Sequence, residues 1–139
     1  MSYILVVDDE KDIRDLISQI LFEAGHTVKL AYNSTSAIDY INNDEPDLII
    51  LDIWLKDSEM DGIEILKSVR QNNPLCPVVV ISGHGNIEIA VAAVKQGAYD
   101  FIEKPFNIDQ LLLVINRALE ASRLRKEVFS LQNREINES

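Results

Sequence analysis

Five short apolar runs, each followed by a longer stretch with helical spacing, leave this chain few ways to fold. The runs are residues 3–7 (YILVV), 27–31 (TVKLA), 47–51 (DLIIL), 77–81 (PVVVI) and 99–102 (YDFI). Between the first two, Ile13, Leu16, Ile17, Ile20 and Leu21 recur at i, i+3, i+4, i+7 and i+8. That pattern predicts a helix with one buried stripe, and Gly25 stands where its C-terminal cap belongs. Ala37, Ile38 and Ile41, then Ile63, Leu66 and Val69, then Ala90, Val91 and Val94 repeat the arrangement, the last closed by Gly97. After the fifth run Asn107 predicts an N-cap, with Gln110 three residues on and Phe106 placed to staple onto Leu111.

Strict strand–helix alternation implies a parallel sheet with helices on both faces. Strands covered on both sides read as continuous apolar runs, whereas edge strands can be mixed. The first, third and fourth runs are continuous, so they belong in the middle, with the second and fifth at the edges. The expected fold is α/β, a doubly wound, flavodoxin-like (βα)5 sandwich with a parallel five-stranded sheet in the order 2-1-3-4-5. In such a sheet ligands sit beyond the carboxyl ends of the strands, at the switch point between strands one and three.

Those ends carry the chemistry. Asp8 and Asp9 follow the first run, Asp52 the third, Ser82 the fourth, and Lys104 with Pro105 the fifth. Any one of these acids reads as a solvated helix cap. Together, carboxylates about 4 to 5 Å apart at an effective dielectric near 20 repel by roughly 3 to 4 kcal/mol per pair, which calls for a proton or a cation. Oxygen donors with positions left for water suit Mg2+, or Mn2+, better than a closed Ca2+ cage. Adding the Ser82 hydroxyl and the Lys104 ammonium makes a site suited to a phosphoryl group.

Composition excludes several classes. The 139 residues suffice for one domain with its own core. No apolar run nears the ~18 residues that cross a bilayer, so no membrane contact is expected. A net charge of -10 disfavours nucleic acid as a partner of this segment. Cys76 is the one cysteine, and with no secretory leader pattern at the N-terminus it points to a cytoplasmic setting.

The motifs VVDDE at 6–10, LD at 51–52, DG at 61–62, ISGH at 81–84 and KPF at 104–106 resemble, in order and spacing, those of a response-regulator receiver domain of two-component systems. The resemblance covers residues 3 to about 121. It implies that Asp52 is the phosphoacceptor, taking a phosphoryl group from a sensor histidine kinase. It implies that Asp9 and Asp52 ligate Mg2+ directly, Asp8 mainly through water, and that the backbone carbonyl of Trp54 completes the protein ligands. Ser82 and Lys104 would contact phosphoryl oxygens, and the Lys104–Pro105 bond would be cis. Ser82 and Phe101 would form the switch, remodelling the face of helix four, strand five and helix five, the family's usual dimerisation surface. Trp54 and His84 would tune dephosphorylation. The bulk of Trp54 predicts a shielded, long-lived phosphorylated form.

The segment 53–61 departs from the common pattern. Asp52 and Gly62 are ten positions apart, more than is usual, and Lys56 replaces a proline. A longer, mobile loop with Lys56, Asp57 and Glu59 exposed is expected. This loop, together with SGHG and AYDFIEKPF, most resembles receivers of the NtrC type, NtrX branch. The receiver is expected to span residues 1–121. Residues 122–139 read as a helical extension with a polar, frayed end, the start of a linker towards an ATPase and DNA-binding output absent here. Ala121, Leu124, Val128 and Leu131, spaced 3, 4 and 3 apart, suit either a short partner-helix seam or a solvated tail.

Two other classes compete. An aspartate-nucleophile phosphatase of the haloacid dehalogenase type needs a second acid two residues after the nucleophile, and Trp54 stands there. A flavodoxin-like binding module, or a receiver that is never phosphorylated, is disfavoured by the intact Asp8, Asp9, Asp52, Ser82 and Lys104, and by the lack of a Gly-rich loop after the first run.

Overall fold

The computed structural model describes residues 2–55, 61–83 and 85–138, with side chains through Asn133. The expectations for His84 and for Lys56, Asp57 and Glu59 lie outside the described residues. The elements alternate without exception: β1 Tyr3–Val7, α1 Lys11–Glu23, β2 Thr27–Ala31, α2 Ser34–Asp44, β3 Leu48–Asp52, α3 Gly62–Asn72, β4 Val78–Ser82, α4 Ile87–Lys95, β5 Asp100–Glu103 and α5 Ile108–Glu138. The sheet is parallel, in the order β2-β1-β3-β4-β5.

Strands β3, β4 and β5 each begin one residue later than their apolar runs. Pro77 has no N–H to give a ladder, and Asp47 is engaged differently, its carboxylate accepting the Tyr3 N–H at 2.8 Å. All three also end one residue later, on Asp52, Ser82 and Glu103.

Side chains of the central strands alternate between two cores. Leu5, Val7, Ile49, Leu51, Val78 and Val80 face α2, α3 and α4. Ile4, Val6, Leu48, Ile50, Val79 and Ile81 face α1 and α5. Every residue of β3 and β4 is buried, whereas β2 and β5 are mixed. Burying one such Ile or Leu contributes roughly 1.5 to 3 kcal/mol, and strands and helices share the buried apolar residues between them.

Helix ends follow local chemistry. Gly25 and Gly97 take positive φ of 93° and 111°. After Gly25 the His26 N–H returns to the Leu21 carbonyl, and after Gly97 the Ala98 N–H returns to the Ala93 carbonyl, the bonding of a Schellman cap. The Asn107 side chain accepts the Gln110 N–H at 2.7 Å, and Phe106 packs against the cluster that contains Leu111. At α2, Asn33 accepts the Ser36 N–H at 2.9 Å while Ser36 reaches back, a full capping box. Asn33→Ala is expected to cost about 1 kcal/mol, read as a lower urea midpoint with an unchanged slope.

Three expectations need correction. Leu16 is 45% exposed; the stripe of α1 is Ile13, Ile17, Ile20 and Leu21, and Leu16 lies past its edge. In α4 the small Ala90 and Ala93 face the core, and Val91 and Val94 point outward with Ile87. Apolar residues on two sides of one helix leave spacing unable to choose the inner side. The polar C-terminal end is also helical rather than frayed, since α5 runs unbroken to Glu138. On that extension Ala121 is half-buried, whereas Leu124, Val128 and Leu131 are exposed. No helix among the described residues is long and apolar enough to cross a membrane.

Candidate functional site

Strand register brings the predicted residues together. Val7 pairs with Leu51, so Asp8 and Asp52, one step beyond each, lie side by side. Asp52 pairs with Ile81 and Ser82 with Glu103, which puts Ser82 and Lys104 next along the same edge. The Lys104 N–H donates to the Ser82 carbonyl at 2.8 Å, holding β5's exit against β4. The Lys104–Pro105 bond is cis.

Asp8 and Ser82 are fully buried and Asp52 is 4% exposed. The two aspartates are held in the same way. Oδ1 of Asp8 accepts the Glu10 N–H at 2.8 Å, and Oδ1 of Asp52 accepts the Trp54 N–H at 3.0 Å. Each carboxylate is thus oriented by a backbone donor two residues on, as in an Asx turn. The second oxygens meet Lys104, whose Nζ lies 3.3 Å from Asp8 Oδ2 and 3.5 Å from Asp52 Oδ2. The same ammonium is 3.5 Å from Glu10 Oε1.

Two buried carboxylates and the exposed Glu10 therefore share one ammonium, which leaves Asp8 and Asp52 crowded where water is largely excluded. The carboxyl group of Asp52 shows the strain, its pKa pushed up to about 7. Burial is the main cause and the charge of Asp8 the next, with Lys104 and the Trp54 N–H pulling back. Burial also raises Asp8, against the Glu10 N–H and Lys104. For Lys104 burial pulls downward, but Asp52 and Asp8 outweigh it and its pKa ends above the usual value.

The donor set fits a hard divalent cation. Ligand oxygens of Asp8, Asp9 and Glu10 lie within 4.8 Å of one another, and a dication matches the missing charge. Ser82 Oγ is buried without a hydrogen-bond partner among the described residues, and Asp8 Oδ2, equally buried, has only its long 3.3 Å ion pair with Lys104 among them. Such atoms need an explanation, and an incoming ligand oxygen or cation supplies one.

Asp8, Asp52, Ser82 and Lys104 thus converge as the sequence predicts. Asp9 is half-buried beside them. Asp52 reaches this group by way of Lys104, and the acid that completes the close triplet is Glu10. Sequence reading assigned Glu10 no role, although it stands inside VVDDE. Arg14 was also missed; its Nη1 donates to the Asp8 carbonyl at 2.7 Å, one helical turn into α1. Trp54 sits at the rim, 54% exposed. Phe101 is half-buried against the core on the α2–α4 side.

Gly62 is the least visible part of the site. Its N–H donates to the Ile53 carbonyl at 3.1 Å. A Cβ there would fall 2.5 Å from the Asp52 carbonyl oxygen and 2.6 Å from the Ile53 Cα. The start of α3 therefore lies directly on the backbone that carries Asp52. Next to it, the Asp61 side chain accepts the Glu64 N–H at 2.9 Å and caps α3.

Comparison with known proteins accords with this geometry. The sequence pattern of the response regulator receiver domain matches residues 4–116. The nitrogen assimilation regulatory protein NtrX of Azorhizobium caulinodans is 53% identical over 129 residues, covering 93% of this chain and 28% of that protein. The crystal structure of the receiver domain of NtrX from Brucella abortus is 56% identical with a TM-score of 0.83, covering 84% of this chain and 98% of that one. NtrX from the same organism in complex with ADP reaches a TM-score of 0.91 at 54% identity, over 94% of this chain and 30% of that one. The chain thus spans little more than a quarter of the length of the curated relative it matches. With the family's pattern matching most of its length and relatives about half identical to it, the chain belongs to the response regulator receiver domain family.

Proposed function

We propose that this domain is the phosphoacceptor switch of a two-component response regulator, with Asp52 as acceptor and a sensor histidine kinase as donor. One observation carries the reading: a buried Asp52 has one oxygen tied to the Trp54 N–H and the other 3.5 Å from Lys104, beside an unpartnered buried Ser82 hydroxyl. Asp52 Oδ2 attacks the phosphorus of a phosphohistidine; the O–P bond forms, the N–P bond breaks, and its electron pair stays on the imidazole. Lys104 releases its hold on Asp52 and pairs with a phosphoryl oxygen, while Ser82 donates its hydroxyl hydrogen to another. Asp8, Asp9, Asp52 and the Trp54 carbonyl would hold Mg2+, or Mn2+, with Glu10 close by. When bound, the ion supplies neutralising positive charge for the phosphoryl oxygens. Water later cleaves the acyl phosphate, so the domain resets itself.

Incubation with acetyl phosphate and Mg2+, followed by intact-mass measurement, is expected to show one phosphoryl group per chain, and none in EDTA. Equal labelling without a divalent cation would refute the metal-assisted reading.

The exposed indole of Trp54 at the rim supports shielding of the acyl phosphate. Trp54→Ala is expected to speed loss of the label by about threefold or more, roughly 0.7 kcal/mol in barrier. An unchanged decay rate removes Trp54 from this role; His84 is assigned the same tuning role on resemblance alone.

The switch residues are Ser82 and Phe101. Drawing Ser82 towards a phosphoryl oxygen empties space behind β4, into which Phe101 can turn. The surface this would alter is apolar: Ile87, Val91, Val94, Tyr99, Ile108 and Leu113 are all exposed along α4, β5 and α5. That supports a homodimer through this face. We assign residues 1–121 to the receiver and 122–139 to an extension towards a transcriptional output. Ser122, 4% exposed and donating to the Leu75 carbonyl at 3.3 Å, is the last buried contact of α5 among the described side chains. A kinase partner of this kind and a cytoplasmic location go together, with no nucleic acid bound by this segment.

A further inference from the structure

At the end of the sheet away from Asp52, the loops entering β4 and β5 and the side of α5 enclose a cavity of about 250 Å³. Its lining includes Arg70 from the last turn of α3, Leu75, Pro77, Gly97, Tyr99 and Arg125 from α5. Two arginines, the half-buried Arg70 and the exposed Arg125, line one small space, and none of the described lining residues is acidic. In a chain of net charge -10 that is an unexpected place for uncompensated positive charge. We propose that Arg70 and Arg125 form a binding site for a compact tetrahedral dianion of the phosphate class, separate from the acceptor edge.

The ordinary role of an arginine here is to cap the end of α3, and Arg70 does so weakly. Its Nη1 and Nη2 reach the carbonyls of Pro74 and Asn73 at 3.4 and 3.5 Å, at the long limit for hydrogen bonds. Capping leaves Arg70 Nε buried and without a partner among the described residues. It also leaves Arg125 unexplained, since no described carboxylate forms an ion pair with it. The stem of Arg70 is fixed, because Gly97 packs so closely that a Cβ there would fall 2.7 Å from Arg70 Cδ. Burial lowers the pKa of Arg70; Cys76 pulls it back, and the charge of Arg125 adds a smaller push downward, so the two cations sense each other. Two positive charges ask for two negative ones, and a guanidinium fork suits paired oxygens of a phosphate. At ~30 Å³ per water the cavity has room for such an ion with part of its hydration. Binding there ties the last turn of α3 to the first turn of the α5 extension, where Arg125 stands.

The test is an NMR titration of the 15N-labelled chain in EDTA with inorganic phosphate, at pH 8 and constant ionic strength, with acetate as the monoanion control. Saturable shifts are expected at the Arg70 Nε–H and at the Gly97 and Ala98 amides. Arg70→Gln and Arg125→Gln are each expected to weaken half-saturation about tenfold or more, with acetate weaker than phosphate by a similar factor. Arg125 is exposed, so its variant keeps the fold if Arg70→Gln does not. A drift that never saturates, a half-saturation unchanged in Arg125→Gln, acetate matching phosphate, or shifts confined to the Lys104 region would each overturn the site.

Discussion

Asp52→Asn is expected to abolish phosphoryl uptake from acetyl phosphate while making the metal-free domain more stable. The amide keeps the shape and can still accept the Trp54 N–H, but it is no nucleophile. Labelling is expected to fall by about 100-fold or more, equivalent to at least ~3 kcal/mol in barrier. Label retained at wild-type level would move the acceptor elsewhere.

The stability effect follows from linkage. The Asp52 carboxyl titrates near 7 when folded, against an ordinary value of 3.8. Between those values the folded chain keeps a proton that the unfolded chain releases, so wild-type stability declines as pH rises from about 4 to 7 and is flat above. Asparagine removes that decline. The variant is expected to exceed wild type by about 2 kcal/mol at pH 8 in EDTA, and by little at pH 4. Mg2+ should narrow the gap by stabilising only the wild type. Urea titrations at the two pH values, with and without the ion, check each part. A variant less stable than wild type at pH 8 would mean that Asp52 is held by Lys104 more than it is repelled by Asp8.

The second large effect is expected at Gly62. Alanine is the better helix former by about 1 kcal/mol, so propensity alone predicts a gain at the first residue of α3. The added methyl carbon would lie 2.5 to 2.7 Å from backbone atoms of Asp52 and Ile53, which cannot move aside as a flexible side chain can. Overpacking against backbone is expected to win, at a net cost of about 3 kcal/mol. Because the displaced atoms carry the acceptor, labelling of the folded fraction should slow as well. A Gly62→Ala chain as stable as wild type in a urea titration would show that α3 can shift away from β3 without cost.

Much of this protein was legible before any coordinates. The continuous runs in β1, β3 and β4 mark strands covered on both faces, and with β2 and β5 at the edges they match the doubly wound order 2-1-3-4-5 that the sheet adopts. Strand ends in a parallel sheet all point one way, so Asp8, Asp52, Ser82 and Lys104 had to share an edge. The inner face of α4 was not legible, because Ala90 with Ala93 and Val91 with Val94 offer two apolar sides and only packing against β4 and β5 selects the smaller pair.

What the sequence determined by itself is the periodicity of each element and the identity of the groups at the strand ends, since both depend on near neighbours in the chain. Tertiary structure decided which groups share charge: Lys104 between Asp8, Glu10 and Asp52, Gly62 against the acceptor's backbone, Arg70 beside Arg125. Lys104 lies far along the chain from its acids and Arg70 from Arg125, and even Gly62 stands ten positions from Asp52. Their distances are set by how helices of particular bulk settle on the sheet, and no local pattern of residues encodes that.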